Sequence, residues 1–179
     1  MKIILIRHFK VDFEWKSFYN SSGYEKACEN YNSADVVKAN RQILTYNIIF
    51  SSSLNRTIET TKLIFNEVPD IVTDSLNEIP IRPFINTHMC LPRIIWDIIG
   101  RLQWRFNSKT QPESYCESKS RINNFINDVL IQNKDCYIVA HGWIIKLIIE
   151  NIRKNGFIGP KPVFIKPGSH YEYKRQVRN

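Results

Sequence analysis

Long apolar runs are missing from this chain of 179 residues. The opening stretch, Met1-Lys2-Ile3-Ile4-Leu5-Ile6, is apolar around Lys2 but meets Arg7 and His8 at once. It is too short for a secretory h-region, and nothing approaches the roughly 20 apolar residues of a spanning helix. A cytoplasmic protein with no membrane partner is the expectation. Paired cysteines are missing too. Cys28, Cys90, Cys116 and Cys136 form no C-x-x-C, so zinc and redox readings have no spacing support. Reduced thiols agree with a cytosolic setting. Cys136, inside an apolar run, reads as a small core residue. Internal repeats and low-complexity segments are absent as well, which leaves one ordinary domain over residues 1–179.

What is present fits a globular protein: 43% apolar and 23% charged residues, enough chain to bury a core without staples. The net charge is +8. Its plain reading is a scattered basic surface that aids solubility; its functional reading is attraction of an anionic substrate. A mild basic cluster at Lys166, Lys174, Arg175 and Arg178 carries no nucleic-acid motif, and a nucleic-acid partner is not expected.

Three runs read as strands buried on both faces: residues 2–6, 47–51 and 136–140. Ile71-Val72-Thr73 is a shorter candidate, and residues 171–174 a last one. Between them, Leu54, Ile58, Leu63, Ile64 and Phe65 show helical spacing, opened by Ser51-Ser52-Ser53 and closed by Pro69. Residues 114–131 and 144–152 read as two further helices. Alternating strands and helices predict an α/β domain with a largely parallel sheet. Residues 80–112 break the pattern with prolines, arginines and aromatics and read as an excursion over one face.

Polar groups sit just past the carboxyl ends of the predicted strands: Arg7-His8, Ser51 to Arg56, and His141-Gly142. In open α/β sheets this is where ligands bind. Two arginines beside two histidines repel a metal cation, so no metal and no cofactor are expected. They suit phosphate, because guanidinium donors match its oxygens. A neutral imidazole attacks phosphorus competently, and neighbouring cations are expected to keep His8 neutral. Arg56 near a helix start opposes the dipole, which favours a bound anion there.

At this point the residues resemble a known family, the histidine phosphatase or phosphoglycerate-mutase-like superfamily. Leu5-Ile6-Arg7-His8 is similar to its R-H motif after the first strand. Ser51 to Thr61 resembles its S-x-x-R-A-x-x-T-A motif, Leu76-Asn77-Glu78 the segment bearing its proton donor, and Tyr137 to Gly142 its second histidine motif. The resemblance implies a three-layer sandwich with helices flanking the sheet. It also implies a metal-independent phosphatase acting on a small or protein-borne phosphomonoester. His8 would be the phosphorylated nucleophile, Arg7, Arg56 and His141 the phosphate pocket, and Glu78 the acid for the leaving oxygen. His8, Glu78 and His141 are thus the candidate catalytic residues.

The chain departs from the family pattern at several positions. Phe9 stands where the family has glycine after the histidine. Val11 replaces a frequent threonine, with Lys10 as a substitute charge, and a glycine shortly after the acid is missing. Asp12 and Glu14 are rival acids for Glu78. His88 and His170 are expected at the surface. Arg82, Arg93, Arg101 and Arg105, with Trp96, Trp104 and Phe106, offer a lid that reads the rest of the substrate; the plainer reading is an amphipathic helix over residues 91–104 with its tryptophans in the core, one of the arginines still facing the pocket. A second function class stays open on the strength of Phe9 and the acid: a phosphate-binding module of the same fold that no longer turns over.

Overall fold

Backbone polar groups within an uninterrupted apolar stretch need partners on both edges, and the sheet supplies them. In the computed structural model, which describes residues 1–37 and 47–176, Lys2–Arg7 forms β1. It pairs in parallel with β6 (Cys136–Ala140), in register Ile3 to Cys136 through Arg7 to Ala140. On its other edge it pairs antiparallel with β8 (His170–Arg175). Strand β3 (Ile48–Ser52) flanks β6, β4 (Ile71–Thr73) flanks β3, and β7 (Phe157–Ile158) closes the far edge. The order is β4-β3-β6-β1-β8-β7, with parallel pairing from β4 to β1. Phe18–Tyr19 (β2) and Leu91–Pro92 (β5) make a separate small ribbon.

Alternation along β1 sends Ile3 and Leu5 to one core and Ile4 and Ile6 to the other. The first core is closed by α4 (Tyr115–Gln132) and α5 (Gly142–Lys154), through Ile122, Phe125, Ile126, Ile144, Ile145 and Ile148. The second is closed by α2 (Asn55–Phe65), through Ile64 and Phe65. Helices on both faces of a sheet give the three-layer α/β architecture. Cys136 lies in the first core, as expected. No helix of the described residues is long and apolar enough to cross a membrane.

Several local expectations need correction. Helix α2 stops before Pro69: Asn66 takes the left-handed conformation (φ 56°) and its N–H donates to the Lys62 carbonyl. Asn does this at low cost. The serines do not cap α2 from the usual position either. Its N-cap is Leu54, which has no side-chain cap, and the Ser52 hydroxyl receives the Leu54 N–H instead. A helix absent from the sequence reading, α1 (Ser21–Ser33), starts at Asn20, whose side chain accepts from the Gly23 N–H. The excursion over 80–112 contains a true helix, α3 (Arg93–Arg105), and its tryptophans are core: Trp96 is 0% exposed and Trp104 3%. His88 and His170 are exposed, as expected. Of the basic cluster, Arg178 lies outside the described residues, and Lys174 pairs with Glu172.

Candidate active site

Strands β1, β6 and β3 are parallel neighbours, so their carboxyl ends meet at one edge. That edge brings together residues far apart in sequence. The His8 N–H donates to the Ala140 carbonyl, 3.1 Å, which ties the turn after β1 to the end of β6. His141 follows immediately, and its ring lies 5.1 Å from that of His8 between centroids. Arg56, in the first turn of α2, reaches the same place: its Nε donates to His141 Nδ1 at 3.2 Å.

These bonds set the tautomers. His8 Nδ1 lies 2.6 Å from the Phe9 carbonyl oxygen. A carbonyl only accepts, so Nδ1 carries the proton and Nε2 keeps its lone pair. His141 Nδ1 accepts from Arg56, so its proton sits on Nε2, which lies 2.8 Å from Ser52 Oγ. Both rings are buried, His8 at 2% and His141 at 0% exposure. Burial is the main cause that holds the His8 pKa down to about 3; the Arg56 cation and then Arg7 act the same way, against the bond to Phe9. The cations named in the sequence reading therefore come second to desolvation. His141 is held well below its ordinary value by burial, then by Arg56, His8, Arg7 and Arg121.

Arg7 donates through Nη1 to the Ile165 carbonyl, and its Nε is buried with no hydrogen-bond partner among the described residues. Arg56 is 2% exposed, donates to Asn32 Oδ1 at 2.9 Å and lies 5.2 Å above the Tyr31 ring. No carboxylate of the described residues stands within ion-pair distance of either arginine. The Glu78 charge acts on Arg56 only from beyond that distance, and buried or half-buried cations without a direct partner are costly unless an anion completes them.

Above these groups opens a cleft of about 660 Å³. Arg7, His8 and Arg56 line its base, and Glu78 lines its wall. The Glu78 carboxylate accepts from the Ile79 N–H at 3.1 Å and, at the limit of 3.5 Å, from the Trp143 N–H at the start of α5. Its segment is held on both sides. Ser53 N–H donates to Asn77 Oδ1 at 3.0 Å, and Arg121 Nη1 donates to the carbonyls of Asp74, Ser75 and Asn77. The rival acids Asp12 and Glu14 are exposed and do not line the cleft, nor does Lys10. His141 lies beneath the lining, with both ring nitrogens engaged.

Phe9 does not enter the cleft. It is 6% exposed and packs with Ile4, Ile6, Val36, Ile64 and Phe65 in the second core. Space for it comes from Gly168 (φ 72°), where a Cβ would stand 2.9 Å from the Phe9 ring. Val11 is buried and bridges to Val36.

On the opposite wall, sequence reasoning offered Arg93 and Arg101 as lid residues and missed the rest. Trp15 and, from α1, Tyr24 and Tyr31 line it, with Arg93, Asp97 and Arg101 from α3 and Trp143 from α5. The signal for α1 was the Asn20 cap followed by Tyr24 and Ala27. The signal for Arg101 was its step of four from Asp97 and eight from Arg93.

Comparisons with known proteins agree with this fold. The sequence model of the histidine phosphatase superfamily (branch 1) matches residues 31–171, and the chain belongs to that superfamily. Arg56, Glu78 and His141 fall inside the match; Arg7 and His8 precede it and are placed by the fold. A search of curated protein sequences finds no match. Among solved structures, the chain is similar to the α-ribazole phosphatase of Shigella flexneri, with TM-score 0.60, 17% identity and coverage of 99% of this chain and 95% of that one. It is similar to a mycobacterial glucosyl-3-phosphoglycerate phosphatase, with TM-score 0.58, 17% identity and coverage of 96% and 88%. At these identities the likeness establishes the fold.

Proposed function

We propose that the protein hydrolyses a phosphate monoester, small or protein-borne, through a phosphohistidine on His8. The observation that carries this reading is the tautomer of His8: a buried, neutral imidazole whose Nδ1 is occupied by a backbone carbonyl and whose Nε2 keeps its lone pair beside two guanidiniums that have no carboxylate of the described residues within ion-pair distance. Nε2 attacks phosphorus while the ester P–O bond breaks. Glu78, in its protonated form, gives its proton to the leaving oxygen, since an alkoxide leaves poorly without one. Water then attacks the phosphohistidine, Glu78 takes a proton from it, and the P–N bond breaks to return His8. Arg7 and Arg56 hold the equatorial oxygens through the reaction. His141 acts through Arg56 by accepting from its Nε. The uncapped N-termini of α2 and α5 add partial positive charge at the same edge.

Metal independence is part of the proposal. The donor set is two neutral imidazoles beside two cations, and no group of three His, Cys, Asp or Glu side chains among the described residues fits a metal ion. The alternative of a binding module without turnover rested on Phe9 and on the acid. Phe9 packs away from the cleft, and Glu78 lines it, so neither feature favours that alternative.

The direct test is His8→Ala. Turnover and acid-labile labelling by substrate phosphate should both vanish. Retained phosphatase activity in this variant would remove His8 from the mechanism.

A further inference from the structure

Helix α3 is apolar on two sides. Its residues fall into rows at steps of four. Trp96, Gly100 and Trp104 make the inward row and are buried. Ile94, Ile98 and Leu102 make an outward row that Phe106 continues at the C-cap; all four are at least half exposed, and Ile95 beside them is exposed too. Arg93, Asp97, Arg101 and Arg105 make a charged row that runs alongside the outward one. Phe18, paired with Pro92 at the head of the helix, is exposed as well, so an exposed aromatic residue stands near each end.

The helix cannot turn to hide the outward row. Trp96 Nε1 donates to the Tyr19 carbonyl at 3.0 Å, and Trp104 Nε1 donates to Ser118 Oγ at 2.9 Å. A Cβ at Gly100 would collide with Ile81 Cγ2, so glycine seats the inward row against the segment that follows Glu78. Neither local structure nor water explains the outward row. Lys, Glu and Gln are better helix formers than isoleucine, and each is better hydrated. A helix apolar all round is stable when both sides are covered, and a contiguous exposed patch rimmed by polar residues marks an interaction surface.

We infer that the outward row of α3 docks on an anionic lipid bilayer, with the helix in the plane of the surface and its four apolar side chains at the acyl boundary. Charge decides between occupants. From Leu91 to Pro112 the basic residues are Arg93, Arg101, Arg105 and Lys109, and the one acid is Asp97. Arg93 at 3.2 Å and the Tyr24 hydroxyl at 2.7 Å already engage that acid. Arg105 and Lys109 are exposed, with the Arg105 guanidinium 4.3 Å from the Tyr115 ring centroid. A second copy of the chain would set these cations, and a net charge of +8, against themselves across a two-fold axis. An anionic bilayer meets them with opposite charge. It takes an apolar stripe to a depth of about 5–10 Å and lets long basic stems reach the headgroups. The expectation of no membrane partner rested on the lack of a spanning run. A row at steps of four is not a run, and α3, too short to cross, lies on the surface. Docking of this kind does not depend on the phosphatase chemistry.

Vesicle flotation with the full chain tests this. The probes are vesicles of phosphatidylcholine alone and of phosphatidylcholine with about 30% phosphatidylserine. They are titrated against wild type, Ile98→Gln/Leu102→Gln and Arg105→Gln/Lys109→Gln, with melting temperature as a check on folding. Wild type should bind the anionic vesicles about tenfold or more tightly than the neutral ones, and about 0.5 M salt should remove most of that preference. Ile98→Gln/Leu102→Gln changes two exposed positions, so the chain should fold, and anionic binding should weaken about tenfold or more. Arg105→Gln/Lys109→Gln should shrink the preference for anionic vesicles and leave binding to neutral ones unchanged. Folded wild type that binds neither vesicle overturns the inference, as does equal binding to both. Anionic binding that survives Ile98→Gln/Leu102→Gln overturns it too, because the basic surface alone would then suffice. A dimer in sedimentation equilibrium that Ile98→Gln/Leu102→Gln dissolves, with no vesicle binding, gives the row to a second copy and overturns the bilayer.

Discussion

Phe9→Gly puts the family residue beside the nucleophile, and the structure gives it a definite outcome. If Phe9 were an obstruction in the cleft, removing it would raise turnover. The ring is instead 6% exposed, in contact with the second core and seated against Gly168. Its φ is not positive, so glycine relieves no strain at this position. Losing a buried phenyl ring costs about 3–5 kcal/mol through lost transfer energy and the cavity left behind. For a domain of this size, that lowers Tm by roughly 6–20 °C. Urea unfolding followed by fluorescence, paired with thermal melts, measures the loss directly. Phe9→Leu keeps most of the volume and should cost less than about 1.5 kcal/mol, which guards against a glycine variant too unstable to assay. Turnover per folded molecule should not rise in either variant. A glycine variant that is as stable as wild type, or one with faster turnover, would refute the placement of Phe9 in the core.

Other consequences are testable in the same preparation. Glu78→Gln should slow alkyl phosphates on the order of 10²–10⁴-fold in single-turnover phosphorylation of His8 and slow an activated aryl phosphate much less; equal losses would mean that Glu78 is not the acid. Turnover should survive EDTA, and vanadate should inhibit; restoration of a chelated, inactive enzyme by zinc or magnesium would point to a metal mechanism. His8 also links stability to pH. Its folded pKa of about 3 lies below the ordinary 6.5, so below pH 6.5 the unfolded chain binds a proton that the folded chain refuses. Stability from this group is full above pH 6.5 and is lost as pH falls toward 3, by about 1.4 kcal/mol per pH unit at most. His8→Asn should flatten that slope in urea midpoints measured between pH 6.5 and 4, and an unchanged slope would contradict the buried neutral state.

The central strands were legible because β1, β3 and β6 are buried on both faces and so carry continuous apolar runs, which survive as a signal without alignment. Helices α2, α4 and α5 showed their inner faces at three- and four-residue steps. Legibility failed where polarity and burial part company. Helix α1 buries Ser21, Tyr24 and Ala27 while its other faces carry Lys26, Glu29 and Asn30, so its apolar stripe is too thin to register. The end of α2 was assigned to Pro69 because proline is the stronger stop, yet a left-handed Asn66 stops the chain sooner. At the site, Arg7, His8, Arg56, Glu78 and His141 were all named, because strand ends announce themselves. What sequence does not show is pairing: that Arg93 and Arg121 each stand within ion-pair distance of a carboxylate, Asp97 and Glu113, is set in three dimensions. Nor does it show that Gly168 makes room for Phe9.

The position of β1 has a consequence for assembly. The strand that ends at Arg7 and leads into His8 precedes the other strands of the sheet, yet both its edges are completed by later segments: Ile3 pairs with Cys136 and Lys2 with Lys174. Pairings so distant in sequence close large loops and form slowly. During synthesis at about 5–20 residues per second, β1 is an apolar ribbon with two open edges for several seconds, the kind of segment that invites aggregation. Arg7 and the nucleophile therefore emerge before the other residues of the site and are among the last to be locked in place. An incomplete chain lacking β8 would hold every group proposed for the chemistry and still leave the bearing strand unpaired along one side. Activity in this protein reports on a finished sheet.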